Sequence, residues 1–358
     1  LFAWLEGRAE RPVLATPAIF HSVMLANPVG DGDLDALDPA DFAAEWKWDG
    51  IRVQLSASGS TRRLYSRSGD DISAAFPDVL DAMTFEGVVD GELLVGGTAR
   101  TNSPTRTFSD LQQRLNRKTV TARMLEDYPA FVRAYDVLFD GEADVRPEAF
   151  SARRDRLAGL IEKAPHDRFD LSPLVPFSSW EALETLRREP PDPVIEGVMI
   201  KRLDSPYQAG RMKGPWFKWK RDPYNIDAVM MYAQRGHGKR SSYYSDFTFG
   251  VWTAGPDGDM LVPVGKAYFG FTDAELDVLD RFVRNNTTER FGPVRAVRAE
   301  PGYGFVLEVA FEGINRSTRH KSGVAMRFPR IARLRQDKLP AEADRLETLM
   351  AMVEAKEA

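Results

Sequence analysis

Between about residue 41 and residue 222, short apolar runs alternate with stretches whose apolar residues recur at helical spacing. Residues 52–55, 87–95, 130–138 and 194–201 read as strands, several apolar enough to be buried on both faces. Residues 71–83, 106–115, 146–163 and 178–188 read as helices. This alternation predicts an α+β or α/β arrangement, with strand order left open.

The pattern changes near Arg221-Asp222-Pro223. Strand-like runs at 226–234, 243–253, 260–270, 294–298 and 304–311 follow, punctuated by Gly and Pro. One helix, 272–285, interrupts them, with Thr272 and Glu275 at capping-box spacing. Five strands with an inserted helix in about 115 residues suit a small barrel of the oligonucleotide-binding type. Four segments are expected. Residues 1–30 form a lead-in, the tail of a domain that would precede Leu1; 31–222 form an α+β domain; 223–340 form the barrel; 341–358 form a helical tail.

The 358 residues contain no Cys, which excludes disulfides, iron–sulfur clusters, cysteine nucleophiles and cysteine-zinc sites. The four His show no metal-ligand spacing, and no apolar run approaches the ~18 residues of a spanning helix. A net charge of −5 conceals segregation. Residues 31–49 carry seven acids against Lys47 alone, whereas 201–240 hold ten Lys/Arg against three acids. Residues 313–338 hold eight Lys/Arg against Asp337 alone. Local fields of this kind, not the total, attract a polyanion.

The densest chemical signal is Glu45-Trp46-Lys47-Trp48-Asp49-Gly50-Ile51-Arg52. A lysine between two tryptophans is expected to be partly desolvated, which lowers an ammonium's pKa and frees its lone pair for attack. Asp49-Gly50 supplies a tight turn, and Arg52 a forked phosphate donor. Val88-Val89-Asp90-Gly91-Glu92-Leu93-Leu94 places two carboxylates in an apolar strand, where they are costly unless they bind something. Glu196-Gly197 repeats a carboxylate at a strand edge, and residues 216–220 (WFKWK) put two lysines on one strand face and aromatics on the other.

In this order the elements resemble the covalent nucleotidyltransferases, and specifically the ATP-dependent DNA ligases. K-x-D-G-x-R is Lys47 to Arg52, S-R-x-G is Ser66 to Gly69, and D-G-E is Asp90 to Glu92. The aromatic-D element is Tyr135-Asp136, E-G-x-M-x-K is Glu196 to Lys201, K-x-K is Lys218 to Lys220, and R-x-D-K is Arg335 to Lys338. Five of the twelve lysines (47, 201, 218, 220 and 338) fall on these motifs, which cover about residues 41–340.

The resemblance implies an adenylation domain followed by the barrel, and a role for each matched residue. Lys47 would attack the α-phosphate of ATP and become a lysyl-AMP phosphoramidate. Glu45 would read the adenine edge and Tyr135 would stack on the base. Glu92 and Arg52 would hold the ribose, and Arg67 would stand near the reacting phosphate. Glu196, assisted by Asp90, would hold Mg²⁺ or Mn²⁺ in its place, while Lys218 and Lys220 contact the α-phosphate. The barrel would swing over the nucleotide so that Arg335, Asp337 and Lys338 meet the pyrophosphate, then turn a basic face to duplex DNA. Arg235, Lys239 and Arg240 in a Gly-rich loop, with Arg316, Arg319 and Lys321, are the expected DNA contacts. The expected partner is nicked double-stranded DNA, bound by a monomer in the bacterial cytoplasm, with no membrane association. RNA ligases and messenger-RNA capping guanylyltransferases share the chemistry, and a catalytically inactive nucleic-acid scaffold is the alternative of another class.

Overall fold

The computed structural model describes residues 18–357 apart from 102, 116, 118 and 257, with Lys239 and residues 356–357 described by backbone alone. Residues 1–17, most of the expected lead-in, lie outside the described residues. The chain forms two compact units that divide between Arg221 and Asp222.

The first unit contains β1 (Asn27–Pro28), β2 (Phe42–Trp48), β3 (Ile51–Ser58), β4 (Thr61–Ser66), α1 (Pro77–Asp81) and β5 (Gly87–Val95). It continues with α2 (Phe108–Gln112), α3 (Ala122–Asp127), β6 (Ala130–Asp140), β7 (Ala143–Asp144) and α4 (Phe150–Glu162). Then come β8 (Phe169–Leu171), β9 (Leu174–Val175), α5 (Trp180–Arg188), β10 (Ile195–Arg202) and β11 (Trp216–Lys220). Two sheets result. One runs β1-β11-β10-β2-β9, and the other runs β4-β3-β5-β6-β7, with β8 beside β6. Mixed parallel and antiparallel pairing makes the unit α+β.

The strand expectations for 87–95, 130–138 and 194–201 match elements, while β4 (TRRLYS) carries too few apolar residues to stand out. The expected helix 71–83 reduces to a short 3-10 turn, Ser73–Ala75, followed by α1. Pro77 explains the break: it lacks the N–H that a continuous helix would need, yet suits the first turn of a new one. Pro147 likewise delays α4 to Phe150. The Tyr65 hydroxyl donates to Ala18 O at 2.7 Å, His21 N donates to Gln54, and β1 pairs in parallel with β11. The described part of the expected lead-in is therefore an extended strap packed on the first unit.

The second unit holds β12 (Tyr224–Arg235), β13 (Tyr244–Gly255), β14 (Gly258–Ala267), α6 (Asp273–Asn286), β15 (Thr287–Phe291) and β16 (Val294–Val297). It closes with β17 (Val306–Phe311), β18 (Gly313–Arg316), β19 (Val324–Arg327), β20 (Arg330–Leu334) and α7 (Leu346–Glu357). Seven of these strands form one sheet, in which β12 pairs with β13, β16 and β17; β18 and β19 make a separate hairpin. The five-strand expectation falls short because β15, β18, β19 and β20 are each only four or five residues long. Thr272 and Glu275 do form the capping box of α6. Leu349 and Val353 of α7 enter the same core as Phe247, Phe249, Leu279 and Leu307.

Under the second sheet of the first unit, Asp136 and Arg153 make a two-pronged ion pair at 2.8 and 3.0 Å with both side chains fully buried. Replacing one member leaves an uncompensated charge in the interior. Asp136→Ala should lower the stability of the first unit by about 3–5 kcal/mol, read from its tryptophan-fluorescence transition in urea.

Candidate active site

β10 runs antiparallel between β2 and β11, which puts Lys47, Gly197 and Lys220 in one row and Glu45, Met199 and Lys218 in the next. Phe42, Ala44, Val198, Ile200 and Phe217, with Trp46 and Trp219, pack into a core on one face. The charged residues occupy the other. Trp216 has the parity of the lysines, so the expected separation of lysines from aromatics fails there, and its ring lies buried beneath Lys201.

Alternation breaks once in β10. Ile195 faces Trp48 and Gly197 faces Lys47, so Glu196 is the extra residue of a β-bulge. Gly197 has φ +148°, and a Cβ there would stand 2.2 Å from Trp219 O. A residue with a side chain does not fit. The bulge delivers the Glu196 carboxylate to 2.5 Å from Lys47 Nζ.

Burial acts to lower the Lys47 pKa, as the flanking tryptophans suggested, but Glu196, Glu92 and Asp49 outweigh it and the pKa is raised. The expected depression is thus overturned in the resting site, where Lys47 is held as an ammonium. Glu92 shows the converse. Burial, reinforced by the Glu196 charge, pushes its pKa up to about 7 against the opposing pull of Lys47 and Arg52. Lys218 is lowered first by burial and then by Lys220, Arg211, Lys47 and Arg67. Four cations therefore act on Lys218 of β11, with Arg67 itself exposed.

Asp90 is tied into a hydrogen-bond network. It is fully buried; its Oδ1 accepts from Gln54 Nε2 at 3.0 Å, and its Oδ2 accepts from Arg52 Nη2 and the Tyr207 hydroxyl, each at 2.6 Å. Arg52 also donates to Met24 O. The Asp90 oxygens orient Arg52. Among the described residues no three His, Cys, Asp or Glu gather at ligand distance. Glu196 with Glu92 beside it still suits Mg²⁺, which usually takes one or two carboxylates and fills its remaining positions with water and substrate phosphates.

Tyr135 is also a bulge residue. Asp90 faces Asp136 and Gly91 faces Ala134, so Tyr135 is skipped, its ring lying 5.8 Å from the Arg52 guanidinium and 4.6 Å from Lys201 Nζ. Glu45 is 2% exposed, with Oε1 accepting from Arg154 Nη1 and Oε2 paired to Lys201 Nζ, both at 2.5 Å. Lys201 falls within a motif, whereas Arg154 on α4 and Tyr207 carry no local signal and are joined to the site by folding alone.

The remaining expected residues lie in the second unit. Arg335 and Lys338 both bind Asp227 on β12, at 2.9 and 2.5 Å, and Arg335 also pairs with Asp337. Arg235 ends β12 beside the Tyr244 ring, and Arg240 lies over Phe271. The Lys239 side chain is outside the described residues. Arg316 approaches Glu354 at 3.7 Å, and Arg319 and Lys321 are exposed in the β18–β19 connection.

The model of the ATP dependent DNA ligase domain matches residues 23–220, more than half of the chain. The model of the ATP dependent DNA ligase C terminal region matches residues 240–338. A probable DNA ligase of Koribacter versatilis is 34% identical, covering 94% of this chain and 61% of its own length. DNA ligase 1 of Korarchaeum cryptofilum is 33% identical over 87% of this chain and 56% of its own. The chain spans about 60% of the length of these curated relatives. A solved structure from a study of Lig E DNA ligases as minimal DNA-binding scaffolds shares the fold, with TM-score 0.61 and 20% identity, covering 88% of this chain and all of that one. An α+β unit with a strand-borne lysine under a carboxylate, followed by an OB-like region, is the class that fold and site define. The chain belongs to the ATP-dependent DNA ligase family.

Glu92 makes stability depend on pH. Its native pKa lies above the ordinary 4.5, so between about pH 4.5 and 7 the folded protein holds a proton that the unfolded chain releases. Its contribution is complete below that window and is lost as pH rises through it. Glu92→Gln should raise the melting temperature at pH 8 and leave it nearly unchanged at pH 4.5, measured by differential scanning calorimetry.

Proposed function

We propose that this chain is an ATP-dependent ligase that seals nicks in duplex DNA through a lysyl-AMP intermediate. The observation that carries the reading is the placing of Lys218 and Lys220 on the sheet face of Lys47, where the surrounding cations lower the Lys218 pKa and a polyphosphate would relieve their repulsion. Lys47 Nζ forms a bond to the α-phosphorus of ATP while the bond to pyrophosphate breaks in line. Its proton must leave first, and Glu196 at 2.5 Å is placed to take it. Lys218, Lys220 and Arg67 offset the charge developing on the phosphate.

Arg52, fixed by Asp90, and Glu92 hold the ribose, and Tyr135 supplies the stacking face. Glu196 together with the substrate phosphates would hold Mg²⁺, which supplies charge neutralisation. Arg335 and Lys338 exchange Asp227 for phosphate oxygens. AMP then passes to the 5′-phosphate at a nick, and the adjacent 3′-hydroxyl displaces it. Arg235, Lys239, Arg240, Arg316, Arg319 and Lys321 bind the DNA backbone without reading sequence, as a monomer on each nick, so affinity falls as salt rises.

Incubation with α-labelled ATP and Mg²⁺ should leave label on the protein through a denaturing gel, absent in Lys47→Ala and released by nicked DNA as the strand is sealed. Label from GTP alone would shift the reading to capping chemistry, and persistence of label in Lys47→Ala would overturn the assigned nucleophile. Because Glu196 helps hold Lys47 protonated, adenylylation should accelerate with rising pH. In Glu196→Gln the rising limb of the pH–rate profile should move to lower pH even though its plateau falls.

A further inference from the structure

We propose that Arg154 and Lys201 are positioning residues that set the base preference of the nucleotide site, by holding the Glu45 carboxylate so that it accepts from a purine 6-amino group. The inference rests on the adenylylation reading and goes beyond it in naming what enforces the choice of base.

Glu45 shares a strand face with Lys47, two residues away, and is almost wholly removed from solvent. A buried carboxylate is tolerated only when its charge is matched, and here each oxygen has its own cation. Arg154 reaches Oε1 from α4, and its other terminal nitrogen donates to Ser172 O at 2.5 Å, which fixes the guanidinium plane. Lys201 reaches Oε2 from β10, where it pairs in register with Ala43. Lys201 Nζ in turn stands 4.6, 4.8 and 4.7 Å from the rings of Tyr135, Phe150 and Trp216, and donates to Tyr135 O at 3.2 Å. The same ammonium that steadies Glu45 thus also touches the ring offered for stacking.

Two consequences follow for a purine on Tyr135. An ionised carboxylate has about four lone-pair directions and no proton to donate. With two taken by cations, those left can receive an amino N–H but repel a carbonyl oxygen. Adenine presents an amino group at position 6 and guanine a carbonyl. Without Arg154 the carboxylate loses one of its two anchors, and its aim is no longer fixed.

The test measures lysyl-AMP formation with ATP and with purine riboside triphosphate, which lacks only the 6-amino group, in wild type, Arg154→Met and Arg154→Lys. Wild type should favour ATP by about ten- to hundredfold in kcat/KM, the worth of one hydrogen bond to a charged group. In Arg154→Met that ratio should collapse to about threefold or less, through KM for ATP with kcat little changed, and Arg154→Lys should restore part of it. Equal losses with both nucleotides would overturn the proposal, because a merely structural role lowers both together. So would a wild-type enzyme indifferent to the 6-amino group, a result that needs no variant to fold. A wild type labelled by no nucleotide would instead overturn the adenylylation reading on which the proposal stands.

Discussion

A single β-bulge sets the electrostatics of the site. Regular alternation along β10 would point Glu196 toward the apolar core shared with Val198 and Ile200; the extra residue turns it to the charged face and onto Lys47. The bulge exists because position 197 has no Cβ to collide with Trp219 O. From that contact follow the protonated resting state of Lys47 and part of the elevated pKa of Glu92. Lys47 thus rests as an ammonium paired with a carboxylate, and the proposed attack would have to begin by dismantling that ion pair.

The same economy governs other charged side chains. Arg52 rests on Asp90, Arg153 on Asp136, Arg133 on Asp170, and Arg335 with Lys338 on Asp227. Each of these cations has its counter-charge within hydrogen-bond reach, which fixes direction as well as offsetting burial. Lys218 differs, because the neighbours that shift it are all cations. An anion is wanted where this balance is locally broken, on the sheet face that carries Lys47.

Much of the site was legible in the sequence because motif spacing survives folding. Lys47, Glu45, Lys218 and Lys220 lie on one sheet face as period two requires, and Arg52 lies one turn further on. What spacing could not convey was where alternation fails. Glu196 and Tyr135 are aimed by bulges, and only the register of the partner strands reveals them. The Lys47 pKa answers to its neighbours in space, the Glu196 and Glu92 carboxylates, which outweigh the burial that its two neighbouring tryptophans suggest. The hydrogen bonds of Asp90 are hidden in the sequence for the same reason: its partners Gln54 and Tyr207 are 36 and 117 residues away. The second unit was read with too few strands, since short strands are recognisable only by what they pair with.

The strap of residues before β2 has a mechanical consequence. Met24 donates its N–H to the Tyr207 hydroxyl and offers its carbonyl to Arg52, while Asn27 and Pro28 pair in parallel with Phe217 and Lys218. Met24 is a shared anchor: one residue of the strap, itself buried in the core, holds the arginine that Asp90 orients. The strap is thus a splint on the floor of the sheet, and a change that loosened Met24 would loosen Arg52 with it.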